Sequence, residues 1–560
     1  MRSPVRQRGL AMLVLVALFA VAAAYMLVSS LNQSSNAVAL ARAAKNRDAL
    51  MQAKAALLAW SSSESLQGGT FKPGALPCPD RNNDGNAESS CSSSTRVGRL
   101  PYKTLGIAPI YDASGELLWY GISNSFKRST SNPINSDTQG TLTVTGLAPA
   151  SNVVAVVLAP GARLSTQDRS FSGTICSSTS DPCNTTSNYL EGLNSDTSSY
   201  NDYESRMENT TDSVAANLFN DQLLAITQAD LMSVVEPAVA AYIAQDVVGQ
   251  YVYNSDPTLT DSSKQWSDNS ANRNKSRYFD AWGGFPYAAT FTDPSSSSFS
   301  GTVGKYEGLL PVIDSLSFVG SDYYSWTVGS GSIIKTGGSG TITSTDCSAT
   351  TSSNLKCTVS WSGFLVQPTI RMSGTVARVG RAFVRLPQLS DVTTSGGSIG
   401  SRTLSGSLSS NGAGTVMLDA TLPCCFGGTL TITIKNTNLI DNPLISTADP
   451  IAGWFTSNEW HMLTYYAVST GYAPGGAGAC AAGGTCLTVN NLSTTPNNNK
   501  YAILILGGRS LNGNSRPSST LGDYLEAQNA STGDRIFEQG LRNVSSAGTE
   551  INDRVVVIAP

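Results

Sequence analysis

NVVAVVLAPGAR (Asn152–Arg163) and KYAILILGGR (Lys500–Arg509) read as one structural element written twice. Each holds a short unbroken apolar run closed by Gly or Pro, the pattern of a strand covered on both faces. The neighbouring blocks recur in the same order. GELLWYGIS (Gly115–Ser123), LTVTGL (Leu142–Leu147), YLEGLN (Tyr189–Asn194) and FNDQLLAIT (Phe219–Thr227) surround the first copy. MLTYYAVS (Met462–Ser469), LTVNNL (Leu487–Leu492), YLEAQN (Tyr524–Asn529) and INDRVVVIA (Ile551–Ala559) surround the second. Five blocks in one order define an internal repeat.

The repeat extends upstream. LPCPD (Leu76–Asp80) and GRLPYK (Gly98–Lys103) are echoed by FPYAA (Phe285–Ala289) and GLLPVI (Gly308–Ile313). A helical stretch precedes each copy, Asn36–Trp60 and Ala229–Tyr251, with Pro237 expected to kink the second. Each unit thus reads as helix, Pro-rich loop and several short strands, a helix laid on an antiparallel sheet. Between the copies, Asp314–Pro450 alternates polar and apolar residues between Gly/Ser turns, as in CTVSWSGFLVQPTIRMSGTV, and predicts an inserted β-sandwich or jelly roll. Ser/Asn-rich Asp256–Arg277 reads as a connector.

The N-terminus has its own pattern. A basic leader with Arg2, Arg6 and Arg8 meets an apolar run, LAMLVLVALFAVAAAYMLVSSL, from Leu10 to Leu31. At 1.5 Å per residue that run spans roughly 33 Å, enough for a bilayer. Its cationic flank predicts that everything after Leu31 faces outward. No Gly or Pro interrupts Leu10–Gln67, so one rod of about fifty residues is expected. Leu40, Ala43, Ala44, Leu50, Met51, Leu57 and Leu58 form its apolar stripe, with Arg42, Asn46, Arg47 and Gln52 largely elsewhere. A cleaved secretory signal ending at Ala22–Ala24 is the competing reading. The apolar run continuing through Val28 counts against it.

Ten cysteines fall into close pairs after the apolar run: Cys78/Cys91, Cys176/Cys183, Cys347/Cys357, Cys424/Cys425 and Cys480/Cys486. Such pairs suit disulfides in an oxidising compartment, and neighbour pairing is the simplest pattern. Adjacent Cys424 and Cys425 either form a vicinal bridge or take other partners. A net charge of −4 and no dense Lys/Arg block beyond the leader argue against nucleic acid as a partner.

RQRG followed by LAMLVLVAL resembles the prepilin-type N-terminus of type IV pilins and type II secretion pseudopilins, the minor-pilin group especially. LPCPD…GRLPYKTLGI…LWYGIS is similar to large pseudopilin-like proteins. The resemblance covers Arg6–Trp60 and, more loosely, Leu76–Thr227; it does not reach the insertion. It implies cleavage by a prepilin peptidase after Gly9 and methylation of Leu10. It also implies an inner-membrane protein with its body in the periplasm, then incorporation into a filament or display at the cell surface. The partners would be other pilin or pseudopilin subunits, met through the N-terminal helix. Most members carry Glu at the fifth mature position, where this chain has Val14. That departure points to a tip or priming subunit.

The expected class is therefore α+β: a long N-terminal transmembrane and assembly helix, two pilin-like helix-plus-sheet units, and an inserted all-β domain. The domains run 1–9 (leader), 10–60 (helix), 61–228 (first unit), 229–313 (helix and start of the second unit), 314–450 (insertion) and 451–560 (remainder). The expected function is a structural minor-pilin-like subunit. The alternative is a membrane-anchored adhesin binding through the insertion.

Two site candidates emerge. Asp80-Arg81-Asn82-Asn83-Asp84-Gly85 matches the front of a calcium loop. Asp80, Asn82 and Asp84, with Glu88 nearby, would supply oxygens, although the twelfth position is Cys91. A polar turn stapled by Cys78–Cys91 explains the same residues. The second candidate is a repeated polar set: Glu191, Asn194, Asn220 and Asp221 recur as Glu526, Asn529, Asn552 and Asp553. Carboxylates satisfying backbone donors at turns are the expected role, with Arg163/Arg509 and Arg169/Arg516 as ion-pair partners. His461, the single histidine, reads as a packed strand residue. With no Walker A stretch, HExxH or dinucleotide fingerprint, no catalytic residue is assigned.

Overall fold

The computed structural model describes residues 37–63, most of 71–248, Tyr278 and most of 285–560. Gly9, Leu10, the apolar run Leu10–Leu31 and the connector Asp256–Arg277 lie outside the described residues. The chain divides into two compact units. The first takes residues up to Glu64, Gly74–Asn132 and Thr138–Leu231. The second takes Ser65–Pro73, Pro133–Asp137 and Met232–Pro560. The class is mixed helix and sheet, dominated by several sheets.

In the first unit, helix α1 covers residues 37–63, an Ala-rich stretch of high helix propensity. Asn46, Ala49, Leu50, Ala53, Leu57 and Ser61 are its buried face. This corrects the stripe expected from sequence. Leu50 and Leu57 are buried as read, but Ala43 is exposed and Leu40 and Met51 are 72% and 58% exposed. The covered face is turned about 100° from that stripe. Asn46, expected on the polar side, is buried and accepts the Ala113 N–H at 2.6 Å. Lys54 fixes the helix to the sheet end, meeting Asp230 at 2.9 Å and the Ala225 carbonyl at 3.4 Å.

The sheet beside it contains β1 (Val97–Arg99), β2 (Trp119–Ile122), β3 (Leu142–Gly146), β4 (Ala150–Ala159), β5 (Asp202–Ser205) and β6 (Gln222–Thr227). Central β4 pairs antiparallel with β2, β3 and β6. β1 extends the β2 edge, and β5 runs parallel to β3. Val153–Ala159 are all buried, as a strand covered on both faces requires.

Helix α2 (Gln228–Tyr242) starts in the last residues of the first unit, continues from Met232 in the second, and runs through Pro237 into a wider-wound turn at Ile243–Val248. Gln228–Val248 is the one described segment long and apolar enough to cross a membrane, by length and composition. Half of its apolar window is buried inside the protein. Near its middle lies Glu236, held by the Ser136 hydroxyl at 2.9 Å and the Arg509 N–H at 2.8 Å. Those contacts make it a packed helix of this unit.

After α2 come β7 (Glu307–Leu309) and β8 (Ile313–Asp314). The inserted strands follow: β9 (Tyr323–Thr327), β10 (Ile333–Gly337), β11 (Thr341–Ser348), β12 (Leu355–Ser362), β13 (Thr369–Val379), β14 (Val392–Ser395), β15 (Arg402–Leu408), β16 (Ala413–Thr421) and β17 (Gly428–Ile434). They make two antiparallel sheets, β10-β13-β16-β15 with β9 also on β13, and β11-β12-β17-β14. Ile370, Met372, Val416 and Leu418 from one sheet share a core with Leu355, Val359, Leu430 and Ile432 from the other. The insertion is a sandwich, as its alternation predicts. β18 (Asn442–Pro443) pairs with β8 where the chain leaves and returns, setting Asn442 opposite Asp314.

β19 (Thr464–Val468), β20 (Thr488–Asn490), β21 (Ala502–Leu506), β22 (Ile536–Glu538) and β23 (Arg554–Ala559) complete the second copy. Its order, β7-β19-β21-β23, repeats β1-β2-β4-β6 of the first. The parallel pair β3/β5 returns as β20/β22, with Val144 opposite Tyr203 and Val489 opposite Phe537. Single contacts repeat as well. Tyr120 donates to the Pro77 carbonyl and Tyr466 to that of Pro286, both at 3.2 Å. Asp80 and Arg99 exchange backbone hydrogen bonds, as do Ala289 and Leu309. The upstream echoes are therefore true structural equivalents.

Neighbour pairing holds for four disulfides: Cys78–Cys91, Cys176–Cys183, Cys347–Cys357 and Cys480–Cys486. Cys424 is disulfide-bonded. Cys425 lies outside the described residues.

Candidate functional site

The repeated polar set forms the same hydrogen-bonded junction in each copy. In the first, the Asp221 carboxyl accepts from the Glu191 N–H at 2.8 Å and from Asn194 Nδ2 at 3.1 Å. Glu191 reaches back, its Oε2 accepting from Asn220 N–H at 2.9 Å and Asp221 N–H at 3.2 Å. Asn194 Oδ1 takes the Glu204 N–H of β5 at 2.9 Å. In the second copy, Asp553 accepts from Glu526 N–H at 2.9 Å and Asn529 Nδ2 at 3.1 Å. Glu526 Oε2 accepts from Asn552 N–H at 3.1 Å, and Asn529 Oδ1 takes the Glu538 N–H of β22 at 2.8 Å.

These contacts tie a one-turn segment, Gly192–Ser195 or Ala527–Ala530, to the start of the last strand of its copy. The asparagines close the corner. Asn220 Nδ2 donates to the Ala162 carbonyl at 2.6 Å and Asn552 Nδ2 to the Arg509 carbonyl at 2.7 Å. Ala162, not Arg163, is thus the counterpart of Arg509.

Arg169 and Arg516 are true equivalents, but they do not pair with the repeated carboxylates. Each guanidinium lies over a tyrosine ring, Tyr189 at 4.9 Å and Tyr524 at 4.8 Å. Each donates to the carbonyl of a repeated glycine, Gly161 at 2.9 Å and Gly508 at 2.7 Å. Their acidic partners are Glu116 at 3.2 Å and Asp137 at 3.0 Å. Gln167, which donates to Glu191 from within the first copy, had no counterpart in the repeat to draw attention to it.

The calcium-loop residues are close together, but their oxygens serve the loop itself. Asp80 is buried, and its two oxygens accept the Asn82 N–H at 3.1 Å and the Gly85 N–H at 2.8 Å. Asn82 Oδ1 accepts from Asp84 N–H at 3.0 Å, Asp84 Oδ1 from Asn86 N–H at 2.7 Å, and Glu88 from Arg81 N–H at 3.2 Å. The Lys103 ammonium is hydrogen-bonded to the Asp84 carbonyl, placing a fixed cation on the loop. Burial raises the Asp80 pKa, against the Gly85 and Asn83 N–H groups. Among the described residues no group of three or more His, Cys, Asp or Glu side chains is arranged to hold a metal. These contacts build a polar turn stapled by Cys78–Cys91.

His461 sits in a short 3-10 turn, Trp460–Leu463, and not in a strand. Its ring meets Phe299 at 4.6 Å and Phe455 at 6.1 Å, and burial lowers its pKa to about 4. It is a neutral packing residue at neutral pH. Gly396–Gly400 has G-x-S-x-G spacing around Ser398. It links strands β14 and β15, whereas a nucleophile elbow needs a strand-to-helix turn.

The chain matches no family model, no curated protein and no solved structure.

Proposed function

We propose that this chain is a minor pilin- or pseudopilin-like structural subunit, working at the tip or in the priming complex of a type IV pilus or type II secretion filament. Before assembly it would sit in the inner membrane through Leu10–Leu31 with its body in the periplasm. The observation that carries the reading is the uncovered part of α1. No residue from 37 to 45 is buried, and Leu40 and Met51 present large apolar side chains to water beside Ala43 and Ala55. Leaving such groups exposed forgoes roughly 1.5–3 kcal/mol each relative to full burial. Helices of neighbouring subunits would cover them. Val14 in place of the family's Glu suits a subunit with none stacked above it.

Leu40→Glu with Met51→Glu tests this. The doubly substituted chain is expected to fold, to stay membrane-bound, and to disappear from sheared filaments. Incorporation at wild-type levels would count against the proposal. A second reading, adhesion, is favoured by one feature of the insertion: it has its own core and enters and leaves through the β8/β18 ladder. Adhesion and assembly are compatible if the sandwich rides on a filament end.

A further inference from the structure

We propose that each repeat contains a proton-sharing carboxyl pair, Glu191 with Asp221 and Glu526 with Asp553, and that the junction it closes is tight in mild acid and loosens in base. The proposal is independent of the filament reading. In each pair the two residues are held together through the backbone, the Asp carboxyl accepting the Glu N–H and the Glu carboxyl accepting N–H groups of the Asn-Asp corner. Two buried carboxyls held together in this way favour a state in which one of them keeps its proton. The donors are unevenly shared. Glu191 accepts on both side-chain oxygens, Gln167 Nε2 on Oε1 and the Asn220 and Asp221 N–H groups on Oε2, and burial raises the pKa of Glu191 and Glu526 less than that of the aspartates. Asp221 Oδ1 and Asp553 Oδ1 are buried and receive no donor, while the second oxygen of each accepts two. A proton on the donor-free aspartate oxygen removes the cost of leaving that buried atom as a bare, undonated carboxylate oxygen.

Among the described residues no lysine or arginine forms an ion pair with Asp221 or Asp553. In the first copy Arg169 is paired with Glu116, Arg163 donates to the Gln167 carbonyl, and Glu204 is paired with Arg206. In the second, Arg516 favours ionised Glu526 and is itself paired with Asp137. Tyr465 faces Asp553, Glu538 reaches the junction through Asn529, and Arg554 follows in the chain. Burial, followed by the neighbouring glutamate's charge, holds both aspartates well above the ordinary carboxylate range. A raised pKa in the folded state means that the stabilisation is complete below the unfolded value and is lost as pH rises through the folded one.

The test compares full-length wild type with Asp221→Asn, Asp553→Asn and the double variant. Asn keeps the accepting oxygen and offers an N–H where the shared proton would be. Infrared difference spectra at neutral pH should show one protonated-carboxyl band lost per single variant and two lost in the double. Glu236, whose pKa burial raises to about 7, contributes to all four chains and cancels. Melting temperature should fall in wild type as pH rises from mild acid into base, less in each single variant and least in the double. Asn variants that fail to fold, that melt below wild type at neutral pH, or that leave the infrared band in place would overturn the proposal. Each of those results means an ionised aspartate accepting on every side.

Discussion

Gly98 and Gly308 occupy equivalent corners because a side chain at either would strike a backbone carbonyl oxygen, that of Asp80 in one copy and Ala289 in the other. Both lie opposite a buried tyrosine, Tyr120 or Tyr466, so neither strand can move aside. Gly98→Ala and Gly308→Ala are each expected to destabilise their own unit by about 1–3 kcal/mol, measured by urea unfolding. This pairing is legible in the sequence, from GRLP and GLLP, since the requirement for glycine survives divergence of its neighbours. Arg163 shows the opposite. Its alignment with Arg509 looked natural as text, yet the carbonyl that Asn220 needs belongs to Ala162. A one-residue offset in a loop leaves no mark in composition.

At the scale of single elements, α1 illustrates how far periodicity goes. The helix was readable from uninterrupted Ala, Leu and polar residues, but its buried side was not. An Ala-rich helix has two apolar flanks, and only the partner sheet decides which one is covered. Leu57 is fully buried, so Leu57→Ala should cost about 2–5 kcal/mol of unfolding free energy. Met51→Ser, on the uncovered flank, should change stability by no more than about 0.5 kcal/mol. A large loss at Met51 would mean that its face is packed in solution. The calcium-loop pattern is ambiguous for a related reason. Alternating Asp and Asn suit a cation and nested turns equally, and the position of Lys103 is set by folding, beyond the reach of local spacing.

At the scale of the whole molecule, the duplicated body and the sandwich were both visible as order and alternation along the chain. Their junction was visible only as a change of pattern near Asp314. The β8/β18 ladder explains why an insertion is tolerated there, because paired residues Asp314 and Asn442 lie only about 5 Å apart. Replacing residues 315–441 with a short Gly-Ser linker should leave the remaining fold with an unchanged denaturant midpoint. The same deletion should spare assembly and abolish any attachment that the sandwich provides. An unfolded remainder would show that the sandwich is integral to its unit.

The proposed passage of this chain from the inner membrane into a filament is tested by mass spectrometry of the N-terminal peptide of the mature protein from its native membrane. The expected result is a chain starting at Leu10 with a methylated amino group. A start near Tyr25, or an intact Met1, would contradict it.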